Sequence, residues 1–275
     1  MTEKVTIPAL HQMKHDGTKI VGMVAWDVQM AQIVDRAGVD IVSVGDTVGV
    51  NLWGHASPHE VTLDEMILVG KAVRPGVKRA LMSIDFPSGI LEQGIEASVT
   101  AAKRFVAETG ANIVKLDGVA EFPEIVTAVD KAGVPVFAQF GITPQTAKKY
   151  GFEYAAISKV GAQIPPEMKD QFVAEAISLE EAGASLLDIT NSGPVIGAAV
   201  TKAARLPVIG GFGGGPWLDG RMRMSYAAIG YHAKTIDSTG KNYANVAKTT
   251  LSALEEYVAD VRASRQIKGQ APIKA

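Results

Sequence analysis

Three aspartates stand where each is expected to close a buried strand: Asp46 in IVSVGD, Asp85 in LMSID and Asp117 in NIVKLDG. An apolar run is a costly place for a carboxylate. Unpaired buried charge costs several kcal/mol, so such groups neutralise, pair or hold a metal. Three oxygen donors at neighbouring strand ends suit a hard cation such as Mg²⁺. Taken singly, each aspartate is equally well a cap for the helix after its strand; the three together favour a site. Lys115 lies two residues before Asp117, and strand period puts both on one face. A lysine there neutralises a substrate carboxylate or polarises a ketone. The alternatives are a structural ion pair and a Schiff-base amine. The second is disfavoured, because an adjacent carboxylate keeps the lysine charged.

The elements that would position these residues alternate along the chain. KIVGMVAW precedes DVQMAQIVDRAG, with Asp27 as N-cap and Gly38 as stop. IVSVGD precedes LDEMILVGKAV, RALMSIDF precedes LEQGIEASVTAAKRFVAETG, and NIVKLDG precedes EFPEIVTAVDKAG. PVFAQFG leads through a longer excursion to PEMKDQFVAEAISLEEAG, SLLDIT precedes VIGAAVTKAA, PVIGGFGG follows as a seventh strand, and RMRMSYAAIG holds the eighth. This rhythm predicts an α/β fold, a single (β/α)₈ TIM-type barrel domain over residues 1–264 that ends in the long amphipathic helix YANVAKTTLSALEEYVADVRAS, with a flexible tail over 265–275. A doubly wound sheet would carry a phosphate loop after the first strand, and VAWDVQMA has no glycine pair there. Barrel chemistry lies at the carboxyl ends of the strands. Those ends read Asp46-Thr47, Asp85, Lys115 and Asp117, Gln139, Asp188 and Thr190, and the glycine run Gly210–Gly215. Backbone amides of that run either cradle an anion or simply make a tight loop. His55 and His59 have Pro58 between them and are expected as loop histidines of a lid, not zinc ligands. Trp53 and Trp217 flank loops at the same end and either close over substrate or pack.

The bulk composition narrows the function classes. The chain has 275 residues, 47% hydrophobic and 20% charged, enough for a sizeable core. A net charge of −2 without a basic block argues against nucleic acid or anionic membrane as partner. Having no cysteine, it has no disulfide, thiolate zinc site or cysteine nucleophile. MTEKVTIPALHQMKHDG lacks the apolar core of a signal peptide, and no apolar run reaches the roughly 20 residues of a membrane span. A cytoplasmic protein is expected.

The motifs together resemble a known family. MVAWD, VGDTVGV with GHASPHEVTLDEM, SIDFP, NIVKLDG, VPVFAQFGITPQ, EEAGASLL and PVIGGFGGG followed by LDGR stand in its order and spacing, from about Leu10 to Gly230. The chain resembles the ketopantoate (3-methyl-2-oxobutanoate) hydroxymethyltransferase family of the phosphoenolpyruvate mutase/isocitrate lyase superfamily. The resemblance implies Mg²⁺ held at Asp46 and Asp85 with Asp117 nearby, where the family usually has glutamate. It implies a 2-oxo acid held by Thr47 and Lys115, and Gly213 is the substrate-binding candidate in the glycine loop. The implied reaction moves a hydroxymethyl group from methylenetetrahydrofolate to 3-methyl-2-oxobutanoate, a step of pantothenate biosynthesis, in a homo-oligomer that is often a decamer. Two positions depart: the family's catalytic glutamate is Thr190 here, and its histidine after the fifth strand is Gln139. Lys115, Thr190, Gln139 and Asp188 are the catalytic candidates. Asp188 sits two residues before Thr190 on the same face and is expected deeper in the barrel. A lyase or aldolase for another 2-oxo acid, and a non-catalytic metabolite-binding barrel, are the alternative functions.

Overall fold

The computed structural model describes residues 3–143, 145–151, 164–211, 214–240 and 242–272. They form two compact units, Met1–Arg223 and Met224–Ala275. In the first, β1 (Ile20–Val24), β2 (Ile41–Val44), β3 (Leu81–Asp85), β4 (Ile113–Asp117), β5 (Val136–Gly141), β6 (Leu186–Thr190), β7 (Val208–Gly210) and β8 (Gly220–Met224) close into a barrel in chain order. The neighbouring strands from β1 through β8 pair in parallel. Parallel strands covered on both faces read as nearly continuous apolar runs. β2, β4 and β6 are buried at every residue. Polar side chains in those strands therefore stand out as belonging to the interior site.

Local chemistry starts and stops the helices. Asp27 caps α2 (Val28–Arg36) by accepting the Met30 amide at 2.9 Å. Thr62 and Glu65 make a capping box on α3 (Leu63–Val73), which satisfies two of the free amides of the first turn. α4 (Ile95–Thr109) buries Phe105 against Phe86, just past β3, with ring centroids 5.4 Å apart. α5 (Pro123–Lys131), α6 (Lys169–Glu181) and α7 (Gly193–Ala203) follow β4, β5 and β6.

The motif pattern did not anticipate α1 (Ile7–His15), whose only buried residue is Leu10. Its apolar stripe is too short to read, and its contacts are polar. His11 Nε2 bonds the Ser185 carbonyl at 2.8 Å, and Lys14 bonds Asp219 at 2.7 Å and the Thr201 carbonyl at 3.0 Å. Ser185 and Asp219 immediately precede β6 and β8, so α1 ties strands at their amino ends, opposite the site. The eighth strand occupies Gly220–Met224, and the chain turns into α8 (Ser225–Ala228) within the segment expected to hold that strand. The second unit also carries α9 (Val246–Arg262). No helix among the described residues is long and apolar enough to cross a membrane.

Candidate active site

Asp85 and Asp117 are the last residues of β3 and β4, while Asp46 lies two residues past β2. None of them caps a helix: α3 is capped by Thr62, and Gly94 and Phe122 precede α4 and α5. The capping alternative is thereby excluded. Asp46 and Asp85 keep an open face at the barrel mouth, while Asp117, Lys115, Asp188 and Thr190 are buried. The structure brings these side chains together, with Gln139 partly exposed beside them. Asp117, Gln139 and Asp188 are register partners across β4, β5 and β6.

The electrostatics are those of crowded carboxylates around one cation. Burial raises the pKa of Asp46, Asp85 and Asp117. Asp85 and Asp117 add repulsion at Asp46, partly offset by Lys115 and by the Thr47 amide. The Asp85 carboxylate is softened by the charge of Lys115, by the Ser43 hydroxyl at 3.3 Å and by the Asp46 amide. Asp117 is pushed up to about 7, burial outweighing the Thr143 hydroxyl and Lys115. Its Oδ1 has no hydrogen-bond partner among the described residues. Burial alone would discharge Lys115, but Asp188, Asp85 and Asp117 hold its pKa above the ordinary lysine value.

The lysine's direct partner is not the acid on its own strand face. Asp117 shares its strand face, yet the ion pair is to Asp188, with Nζ 2.9 Å from Oδ2 and side chains only 7% and 2% exposed. Lys115 also lies 5.6 Å from the centroid of the Phe137 ring below it. Thr190 is equally buried, and its hydroxyl oxygen accepts from Gln139 Nε2 at 3.0 Å. Beyond it, Asn191 adopts φ 57°, a left-handed conformation that asparagine tolerates better than most residues. Its Nδ2 donates to the Ile142 carbonyl at 2.7 Å, while the Ile142 amide donates to the Thr190 carbonyl at 3.2 Å. The ends of β5 and β6 are thus stitched together.

Sequence reasoning missed the hydroxyls. Ser43 and Ser83 are register partners on β2 and β3, and Ser83 Oγ is buried without a partner. A serine inside IVSV or LMSID at the spacing of an aspartate was the available signal. Trp217 donates to Ser192 Oγ at 3.4 Å and packs against Gly197 and Gly215, so it packs in this structure. Trp53 is exposed and stacks obliquely on His55, with centroids 5.7 Å apart. Pro58 and His59 lie in a single 3₁₀ turn, Pro58–Glu60, not a helix that would pair the histidines. Gly213, like most of the excursion after β5, lies outside the described residues.

Among the described residues no three histidine, aspartate or glutamate side chains close into a cage able to enclose an ion. The residues nevertheless fit Mg²⁺, which commonly takes one or two carboxylates and fills its remaining positions with water and substrate oxygens. Asp46 and Asp85 are mutually repelling carboxylates open to the mouth, and Asp117 behind them has an oxygen without a partner. A divalent cation would relieve that repulsion.

The comparisons agree with this geometry. Residues 4–266 match the family model for ketopantoate hydroxymethyltransferase. The chain is 36% identical to the 3-methyl-2-oxobutanoate hydroxymethyltransferase of Cyanothece sp. over 94% of its own length and 96% of the relative's. It is 35% identical to the one from Geobacillus kaustophilus, covering 91% and 87%. Among solved structures, a phosphonopyruvate hydrolase in complex with oxalate and Mg²⁺ matches with TM-score 0.61 at 14% identity, covering 97% of this chain and 91% of that one. A 2,3-dimethylmalate lyase of the PEP mutase/isocitrate lyase superfamily matches with TM-score 0.60 at 12% identity, covering 98% and 91%. Those two likenesses concern the fold alone. The matched stretch spans nearly the whole barrel and every candidate side chain, and the chain belongs to the ketopantoate hydroxymethyltransferase family.

Proposed function

We propose that the protein is a Mg²⁺-dependent enzyme that makes or breaks a C–C bond beside a 2-oxo acid. Hydroxymethyl transfer to 3-methyl-2-oxobutanoate, with methylenetetrahydrofolate as one-carbon donor, is the best-supported case. The observation that carries the reading is the set of three carboxylates, Asp46, Asp85 and Asp117, gathered at the carboxyl ends of β2, β3 and β4 with the buried Lys115. Asp46 and Asp85 would hold the metal, with Asp117 behind them. When bound, Mg²⁺ supplies Lewis-acid polarisation of the 2-oxo group, which eases loss of the proton at C3. Lys115 supplies a fixed positive charge to the substrate carboxylate and to the oxygen that gains charge as that proton leaves. Thr47 and Gly213 complete the hold on the acid. The family's oligomeric state and a cytoplasmic location accompany this reading. On α9, exposed Leu251, Leu254, Val258 and Val261 offer an apolar row for assembly.

The proton-transfer half differs from the metal half. Thr190 cannot act as a base at neutral pH unaided, and its oxygen already accepts from Gln139. Hydrogen–deuterium exchange at C3 of 3-methyl-2-oxobutanoate in heavy water is therefore expected to be slow despite Mg²⁺-dependent binding. The deficit should be about 10²–10⁴-fold, the usual contribution of a general base. Fast exchange would contradict the deficit and return ordinary hydroxymethyl transfer to full strength. Binding without exchange is the outcome that favours a lyase or aldolase, since retro-aldol cleavage begins at a hydroxyl proton. No binding with Mg²⁺ present would move the assignment to a non-catalytic barrel. Lys115 works as a cation and not as an amine nucleophile, because Asp188 and Asp85 keep it protonated. Borohydride added with a 2-oxo acid should leave the intact mass unchanged. A reduced adduct on Lys115 would contradict this and favour Schiff-base chemistry.

A further inference from the structure

We propose that Asp188 is the positioning residue for Lys115. The site's fourth carboxylate stands in the barrel interior, one step back from Thr190 along the same strand face. The proposal deepens the 2-oxo-acid reading above and rests on it for its catalytic part. Thr190 holds the position where the resemblance implies an acid, and Asp188 lies two residues earlier on β6. At a rise of about 3.3 Å per residue, that is a displacement of about 6.6 Å.

Neither oxygen of Asp188 is presented to a ligand. Oδ2 is tied to Lys115 Nζ at 2.9 Å, and Oδ1 is closed to solvent without a partner among the described residues. Asp188 therefore acts through Lys115. It fixes the ammonium between the floor of the barrel and the mouth, and it competes with a substrate carboxylate for that charge. The neutral Gln139–Thr190 hydrogen bond reaches from the level of Asp188 to the layer above it. A carboxylate introduced at 190 would share one cation with Asp188 on the same strand face. Like charges at that spacing in a buried site cannot both stay ionised cheaply. Restoring an acid at 190 should succeed only when Asp188 is neutralised.

Two double-variant cycles test this, both on the full chain. The first compares the folding equilibrium constants of Lys115→Met, Asp188→Asn and their combination by urea titration. Each single change is expected to lose about 10²-fold or more, because it strands a buried charge, and the pair should recover at least about tenfold of that loss. Purely additive losses would overturn the ion-pair role. This cycle needs no substrate and is read even if the 2-oxo-acid assignment fails. The second compares Thr190→Glu, Asp188→Asn and Thr190→Glu/Asp188→Asn by C3 exchange of 3-methyl-2-oxobutanoate and by oxalate affinity, both with Mg²⁺. Asp188→Asn alone should tighten oxalate several-fold, because the substrate carboxylate no longer competes for the Lys115 charge. Thr190→Glu alone should gain less than about tenfold in exchange, and the combination about 10²-fold or more. Unchanged or weaker oxalate binding in Asp188→Asn would overturn the proposal. So would a full gain in Thr190→Glu alone, or no gain in the combination while it still binds oxalate. Absence of oxalate and oxo-acid binding in the unmodified protein would instead count against the 2-oxo-acid reading, leaving the first cycle to decide the role of Asp188.

Discussion

Asp85→Asn should abolish Mg²⁺-dependent binding of 2-oxo acids while the barrel stays folded. Asp85 stands at the end of β3 with one face open to the mouth, accepting from the Ser43 hydroxyl at 3.3 Å. Asparagine keeps the size and one carbonyl oxygen, so the bond from Ser43 survives. What disappears is one negative charge from a set whose members repel one another. Repulsion from Asp85 is a leading cause, after burial, of the raised pKa of Asp46. Removing it should leave the metal-free protein at least as stable as before. The cation, in contrast, loses one of its two mouth-facing carboxylates, and the affinity should fall by on the order of 10²-fold or more. Calorimetry with Mg²⁺ and oxalate, alongside a urea titration, measures both halves. Unchanged Mg²⁺ and oxalate affinity in the variant would remove Asp85 from the metal site.

The largest expected effect on folding belongs to Gly141→Ala. Gly141 has φ +96°, and an added Cβ would stand 2.4 Å from the Thr190 carbonyl oxygen and 3.0 Å from its amide nitrogen. Both are backbone atoms of the register partner on β6, so no rotamer change relieves the clash. The left-handed conformation alone costs an alanine about 1–2 kcal/mol, and the clash with a paired strand should bring the total to about 3 kcal/mol or more. Gly17→Ala is the control. Its φ is +70° with nothing within 4 Å of the added carbon, so only the conformational part should appear. Urea midpoints that match for the two variants would show that the β5–β6 edge yields more easily than its geometry indicates.

The barrel was legible in the sequence because it depends on repetition. A glycine stop, an apolar run and a polar residue at the run's end recur, and covered parallel strands leave few other readings. Asp46, Asp85, Asp117 and Lys115 were visible for the same reason: a charge in an apolar run is conspicuous. The partnership of Lys115 was not. Period two relates residues on one strand, and so pointed to Asp117, whereas the pair to Asp188 crosses from β4 to β6 and depends on barrel closure. The hydroxyls of Ser43 and Ser83 escaped because a buried serine costs little to place and is chemically quiet until a carboxylate stands over it. Helix α1 escaped because it buries Leu10 alone, and an ion pair and two carbonyl contacts supply the rest of its hold.

The stitched ends of β5 and β6 have a consequence for how this barrel can be rebuilt or diversify. Asn191 and Thr190 bind the chain just past β5 from both directions, through the carbonyl and the amide of Ile142. The Asn191 carbonyl also accepts from the Ile164 amide at 2.8 Å, where the chain comes back from the excursion. Modularity in such a scaffold normally resides in single loops. Here the two segments are joined by three hydrogen bonds, and a graft that replaces either alone puts all three at risk. Exchange of substrate preference with a relative should therefore require transplanting both segments together, and the unit of inheritance at this site is the pair.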